Sequence, residues 1–446
     1  MVFNDRWTSS FYFILAATGA AVGLGSIWKF PYEVGIHGGG LFVICYLFFI
    51  FIIGIPSLMA EILTGVIGRS DPVNVFHELH KKFKTSIYWK ALGYLSLITL
   101  LMIFSFYSVV AGWTLDYLIW ATFGDLHHAS NSQIVLHWEQ LQQSIPTMLL
   151  DHSVFSLLTG LVVIFPLKKG LERASKILMP LLFLIVIALV CITLFLPGRN
   201  EAIHYLFHVD WNMFSVSMII VALGNACFTL AIGAGCMLVY GAYLPKDTQL
   251  MPVASCVAIL NAFVALMSGF AIFSVVYTYH LNPSSGPGLM FVTLPICFHQ
   301  VNHGYFMAMG FFILLFIAAW TSAISLVEPL VTYIGERLAI QRPLAAIIAI
   351  FSGWFIGLGT LLSFNVGKNW TFLGFQNFFE CINFLTTDVF LNIGILGYTV
   401  FVGWCLSRSV LYDMMKMPET VFNIWYGIIR YLLPLLYIGL LFGVMV

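Results

Sequence analysis

The sequence predicts an all-α integral membrane protein of eleven transmembrane helices, arranged as a 5+5 inverted repeat with spans one and six broken. Three observations predict it. Of 446 residues, 61% are hydrophobic and only 9% are charged, and mean hydropathy is +0.97. So few charges cannot coat a soluble globule of this size. Apolar runs of the length a helix needs to cross hydrocarbon, about 20 residues, start near 11, 41, 91, 153, 175, 215, 252, 305, 343, 383 and 421. Two of these runs are interrupted by glycine at matching places: GAAVGLGSIWKFP at 19–31 and, five spans later, GNACFTLAIGAGC at 224–236.

The connections between the runs alternate in charge. Those after spans two and four carry Arg69, Lys81, Lys82, Lys84 and then Lys168, Lys169, Arg173, Lys176, whereas 124–152, after span three, has no Lys or Arg. With Arg6, Lys246, Arg337, Arg342, Arg408 and Lys416, this bias puts the N-terminus in the cytoplasm of a multi-pass cell (inner) membrane protein. An odd span count then puts the C-terminus outside. MVFNDRWTSS lacks the pattern of a removable signal peptide, so the first span is expected to stay. The chain reads as one transmembrane domain over 1–446, with repeats at about 7–200 and 211–407 and an extra helix at 420–445.

Nineteen basic and nineteen acidic residues balance, which argues against a nucleic-acid partner; the expected surroundings are the lipid bilayer, with no obligatory protein partner. The eight cysteines lie in or beside apolar runs without zinc or disulfide spacing. HELH at 77–80 lacks the i, i+4 histidine pair of a metalloprotease, and His299 and His303, which have that spacing, lack a third ligand. No nucleophile elbow, phosphate loop or pair of catalytic carboxylates is present, so an enzyme is not expected.

Glycine inside a helix costs about 1 kcal/mol, and opened backbone in lipid leaves groups that cost several kcal/mol each unless something binds them. Small residues also serve plain helix packing. Two interruptions at corresponding positions favour the other reading: a midplane site in an inverted-repeat carrier, where half-helix N-termini meet an anionic group and freed carbonyls meet a cation.

The residues themselves resemble a known family. GAAVGLGSIWKFPYEVGIHGGG in span one, GIPSLMAEILTG in span two, GNACFTLAIGAG in span six and AAWTSAISLVEP in span eight look like the neurotransmitter:sodium symporter family, in its bacterial amino-acid transporter form with the leucine-transporter fold. The pattern of paired interrupted spans is itself exemplified by that family's bacterial member, so the two readings are one inference.

The resemblance implies roles for particular residues. The substrate carboxylate would meet the amides of Leu24 and Gly25 and the hydroxyl of Tyr107, with Ala21 and Thr229 close by and Phe228 as the aromatic lid. Ile103, Ala231, Ala234, Ser322, Ser325 and Leu326 would form the walls. Gly23 stands where monoamine carriers of the family have an aspartate, which argues for an amino acid; the two alanines lean towards an apolar or aromatic one. Sodium site two would use the carbonyls of Gly19, Val22 and Ala318 and the hydroxyls of Thr321 and Ser322. Hard oxygens without a fixed carboxylate suit a monovalent ion. Sodium site one would use the Ala21 carbonyl, Thr229 and Asn261, with Ser26 where the family usually has the longer asparagine. Tyr46, Asn225 and Thr229 resemble chloride surroundings, yet Ala265 supplies neither the serine nor the acid of the family's variants, so chloride dependence stays open. As gates, Arg6 and Glu336 look like an ion pair aided by Trp7 and Tyr243. On the other side Lys29 replaces an arginine, opposite Asn383 or, a turn away, Glu380. The function implied is sodium-coupled import of an amino acid by alternating access; a non-transporting amino-acid sensor and a proton-coupled carrier are the alternatives.

Overall fold

A computed structural model describes residues 6–245, 247–280, 288–300 and 304–445, apart from the side chains of Asp125, His127 and 442–445. Lys246 and His303 lie outside the described residues. The main helices are α1 (Ser10–Ala21), α2 (Gly25–Ile36), α3 (Gly40–Gly68), the short α4 (Asn74–Phe83), α5 (Ile87–Thr122), α6 (Asn131–Gln143), α7 (Ile145–Val163), α8 (Leu171–Thr193) and α9 (Arg199–Phe207). They continue with α10 (Val216–Thr229), α11 (Cys236–Ala242), α12 (Leu250–Thr278), α13 (Leu289–Gln300), α14 (Gly304–Leu338), α15 (Arg342–Leu362), α16 (Phe378–Cys405), α17 (Arg408–Met415) and α18 (Glu419–Leu441).

Among the described residues, nine helices are long and apolar enough to cross a membrane, and α1 with α2 makes a tenth, bent by 55° at the break. The expected sixth span is a pair of pieces, the 14-residue α10 and the 7-residue α11. Neither is long enough to cross alone at about 1.5 Å per residue. The fourth span begins at Ile145 and not near 153. Ser144 caps it by accepting from Thr147 N, and Pro146 sits in its first turn, where a missing N–H costs nothing. The sequence reading started that span late because Asp151 and His152 interrupt the apolar run; both are buried inside the bundle.

The helices α5 and α14 are the most buried of the spans and form the centre, whereas α7, α8 and α18 turn apolar side chains outwards. The first broken span packs between them, α1 touching α8, α12 and α14. Two glycines bring α3 and α11 together backbone to backbone. A methyl on Gly65 would run into the Leu238 carbonyl, and one on Gly241 into the Ile62 carbonyl.

Candidate functional site

At the first break, α1 stops because Val22 turns to φ −79, ψ 82. Its N–H still reaches Thr18 O at 2.6 Å, and Gly23 N reaches Ala21 O at 3.0 Å. The next amide, Leu24 N, leaves the helix ladder and donates to the Tyr107 hydroxyl at 3.3 Å. Gly23 has to lack a side chain, since an added Cβ would meet Ser322 Oγ and lie 2.9 Å from the Tyr107 oxygen. Gly25 is held the same way by the Phe228 ring, 2.9 Å from its would-be Cβ.

At the second break, Ala231 (φ 52), Gly233 (φ 87) and Gly235 (φ 86) all lie in the left-handed region. For alanine this costs roughly 1–2 kcal/mol. The stretch is held from α3 by Glu61, only 1% exposed, which accepts from Gly233 N at 2.6 Å, Gly235 N at 3.0 Å and Met237 N at 3.1 Å. Amides that no helix satisfies are thus paired with a buried carboxylate, whose charge they stabilise in turn. Glu61 received no role from sequence. The signal was there: a lone acid in an apolar membrane span is costly and marks a functional position.

Between the breaks lies an apolar cavity of about 50 Å³. Every residue of the substrate set lines it except Thr229, together with Gly23, and with Ala20, Cys236 and Leu391, which the sequence reading did not include. Leu391 arrives from α16 through packing that no local pattern announces. Space for a few waters does not admit a large amino-acid side chain, so the walls must part to take one.

Four of the site-two residues meet in two hydrogen-bonded pairs. Ser322 Oγ donates to Gly19 O at 3.0 Å and Ala20 O at 3.3 Å, and Thr321 Oγ1 lies 3.1 Å from Ala318 O. The α1 end is therefore tied to the middle of α14. Beside it, Ser26 Oγ donates to Asn261 Oδ1 at 2.6 Å and lies 3.3 Å from Ala21 O. The Asn261 amide reaches Thr229 Oγ1 at 3.3 Å and Tyr46 OH at 3.4 Å. Thr229 sits in this polar cluster, and not on the cavity wall, because its hydroxyl also meets Tyr46 OH at 3.0 Å. Asn225, one turn earlier, buries both polar atoms of its amide without a hydrogen-bond partner among the described residues.

The two ends of the site differ from expectation. Arg6 with Glu336 is not among the ion pairs of the described residues. Arg6 donates to Ala242 O at 3.2 Å, drawn to the carbonyl end of α11, where the helix dipole favours cations. Glu336 lies close to Asp71. The buried ion pair at this end is Glu328 with Arg342, and the Tyr243 hydroxyl donates to the other Glu328 oxygen at 3.1 Å. Trp7 closes the same face, its indole donating to Tyr240 O at 3.0 Å. At the opposite end Lys29 pairs with neither Glu380 nor Asn383. Its ammonium lies 4.8 Å from the Phe228 ring centroid, so the cation rests on the lid, while Glu380 N is capped by Asn377.

Two opened membrane helices facing a small apolar cavity, with oxygen clusters at the breaks, have the form of a membrane transporter's site. Comparison with known proteins gives the family. The sequence profile of the sodium:neurotransmitter symporter family matches residues 4–139 and 132–445, and the chain belongs to that family. It is 33% identical to the uncharacterized sodium-dependent transporter YhdH of Bacillus subtilis, over 96% of this chain and 95% of the relative. It is 30% identical to an uncharacterized sodium-dependent transporter of Haemophilus influenzae, over 97% and 96%. Among solved structures, MhsT in complex with L-phenylalanine superposes with a TM-score of 0.91 at 35% identity, covering 99% of both chains.

Proposed function

We propose that the protein is a sodium-coupled symporter that imports an apolar or aromatic amino acid by alternating access. The observation that carries the proposal is the first break: the Leu24 amide and the Tyr107 hydroxyl point at one another beside the cavity, while one turn back Gly19 and Ser322 share an oxygen cluster. A carboxylate entering between Leu24 N and Tyr107 would satisfy both donors. A sodium ion among the Gly19, Val22 and Ala318 carbonyls and the Thr321 and Ser322 hydroxyls would hold α1 against α14. Binding both ligands favours the closed arrangement because the ligands have higher affinity for it. The MhsT complex with L-phenylalanine supports an aromatic substrate. In this reading α10 and α11 together are the sixth of eleven spans, 7–200 and 211–407 are the inverted repeats, and the end bearing Arg6 and Arg342 faces the cytoplasm of the inner membrane.

The test is uptake of labelled phenylalanine into proteoliposomes, with the twenty amino acids as competitors. Accumulation that needs an inward sodium gradient is the expected result. Tight binding without accumulation would instead make the protein a sensor, and uptake driven by a pH gradient in sodium-free buffer would make it a proton-coupled carrier. Thr321→Ala combined with Ser322→Ala is expected to abolish sodium-stimulated binding; unchanged sodium dependence would overturn the ion assignment.

A further inference from the structure

An apolar groove lies away from the cavity, on the outer face between α7 and α15. It has a volume of about 390 Å³ and is lined along α7 from Ser153 to Ile164 and along α15 from Ala346 to Trp354. Leu157, Leu161, Ile347 and Phe351 on its rims are 57–63% exposed. One end is shut by the Trp354 indole, which donates to Ser153 Oγ at 3.0 Å. The other is bounded by Arg342, which draws the end of α7 in by donating to Val163 O at 3.0 Å and Phe165 O at 2.8 Å.

Length and charge identify what fits. Ser153 is the middle of α7, and from there to Ile164 the helix rises about 16 Å, close to half of a hydrocarbon core of about 30 Å. The groove therefore spans one leaflet and ends at the midplane, which suits a single acyl chain and not a crossing helix. Just beyond the end bounded by Arg342 come Lys168, Lys169 and Arg173, all exposed and in no ion pair among the described residues. The intervening acid, Glu172, is committed to Thr8 N at 2.9 Å.

We infer that this groove is a binding site for one anionic glycerophospholipid of the leaflet on the Lys168 side, its acyl chain lying between α7 and α15 and its phosphate against Lys168 and Lys169. Orientation enters only in naming that leaflet cytoplasmic; the site itself is independent of the transported substrate.

Native mass spectrometry of the full chain, titrated in detergent with dioleoyl phosphatidylglycerol and with dioleoyl phosphatidylcholine, tests this. The wild type is expected to retain one phosphatidylglycerol in preference to phosphatidylcholine. Lys168→Gln with Lys169→Gln should weaken that retention by roughly thirtyfold, the attraction of two lysines for an anionic surface. Ile347→Trp, which fills the groove from an exposed position and leaves the core alone, should remove it too. Equal retention of both lipids by the wild type, or retention unchanged in both variants, would overturn the site. So would a dimer of the chain that Ile347→Trp dissociates, since the groove would then belong to a second copy. Sodium-driven uptake, measured separately, does not decide this question.

Discussion

Glu61 accepts from three amides that α11 and the break before it cannot satisfy internally. Removing the carboxylate leaves several buried donors unpaired, each worth about 1–3 kcal/mol. Glu61→Ala is therefore expected to destabilise the protein by about 3 kcal/mol or more, read as a lowered thermal midpoint in detergent. Glu61→Gln keeps one acceptor oxygen and should lose about half as much. Gly233→Ala should also destabilise, because φ 87 is strained for alanine and its methyl would meet the Leu391 carbonyl. In the proposed function Lys29 would hold the lid through the ring of Phe228, over which its ammonium lies. An ammonium over an aromatic face is worth about 0.5–2 kcal/mol, so Lys29→Gln is expected to speed release of labelled substrate roughly two- to thirtyfold in a washout experiment, and Lys29→Arg to restore it.

Among the helices, α14 and α15 are joined by the buried pair of Glu328 and Arg342. Breaking a buried pair from one side costs about 3–5 kcal/mol, because the remaining charge stays desolvated. Arg342→Ala is expected to loosen this end, so that a thiol reagent added from that side labels Cys236, a buried cavity residue, faster than in the wild type. Replacing Glu328 and Arg342 together should cost less than Arg342→Ala. Both breaks were legible in the sequence because glycine spacing is a local signal, and Tyr107, Phe228 and Ser322 followed from motifs. Glu61 stood out as a lone acid in an apolar span, but its partners, like that of Arg342, are brought in by packing and carry no local pattern. The contact of Arg6 with the carbonyl end of α11 has no sequence signature either. The start of α7 was misjudged because burial, not polarity, decides where Asp151 and His152 sit.

For the whole molecule, the proposed cycle with one sodium per zwitterionic amino acid would move one net positive charge. A tenfold sodium gradient supplies about 1.4 kcal/mol, and 100 mV adds about 2.3 kcal/mol. Together they support roughly several hundredfold accumulation, most of it electrical. Collapsing the potential across proteoliposomes with valinomycin, at a constant sodium gradient, is expected to cut steady-state accumulation to roughly tenfold. Accumulation unaffected by valinomycin would require an electroneutral cycle.

The grip of Glu61 also restricts how the machine can move. Swinging the opened stretch of α10 and α11 by itself would pull three amides off a buried carboxylate, and Gly65 and Gly241 leave no slack between the neighbouring backbones. In the proposed cycle the helix Gly40–Gly68 would travel with that stretch, and the hinges would lie elsewhere in the bundle.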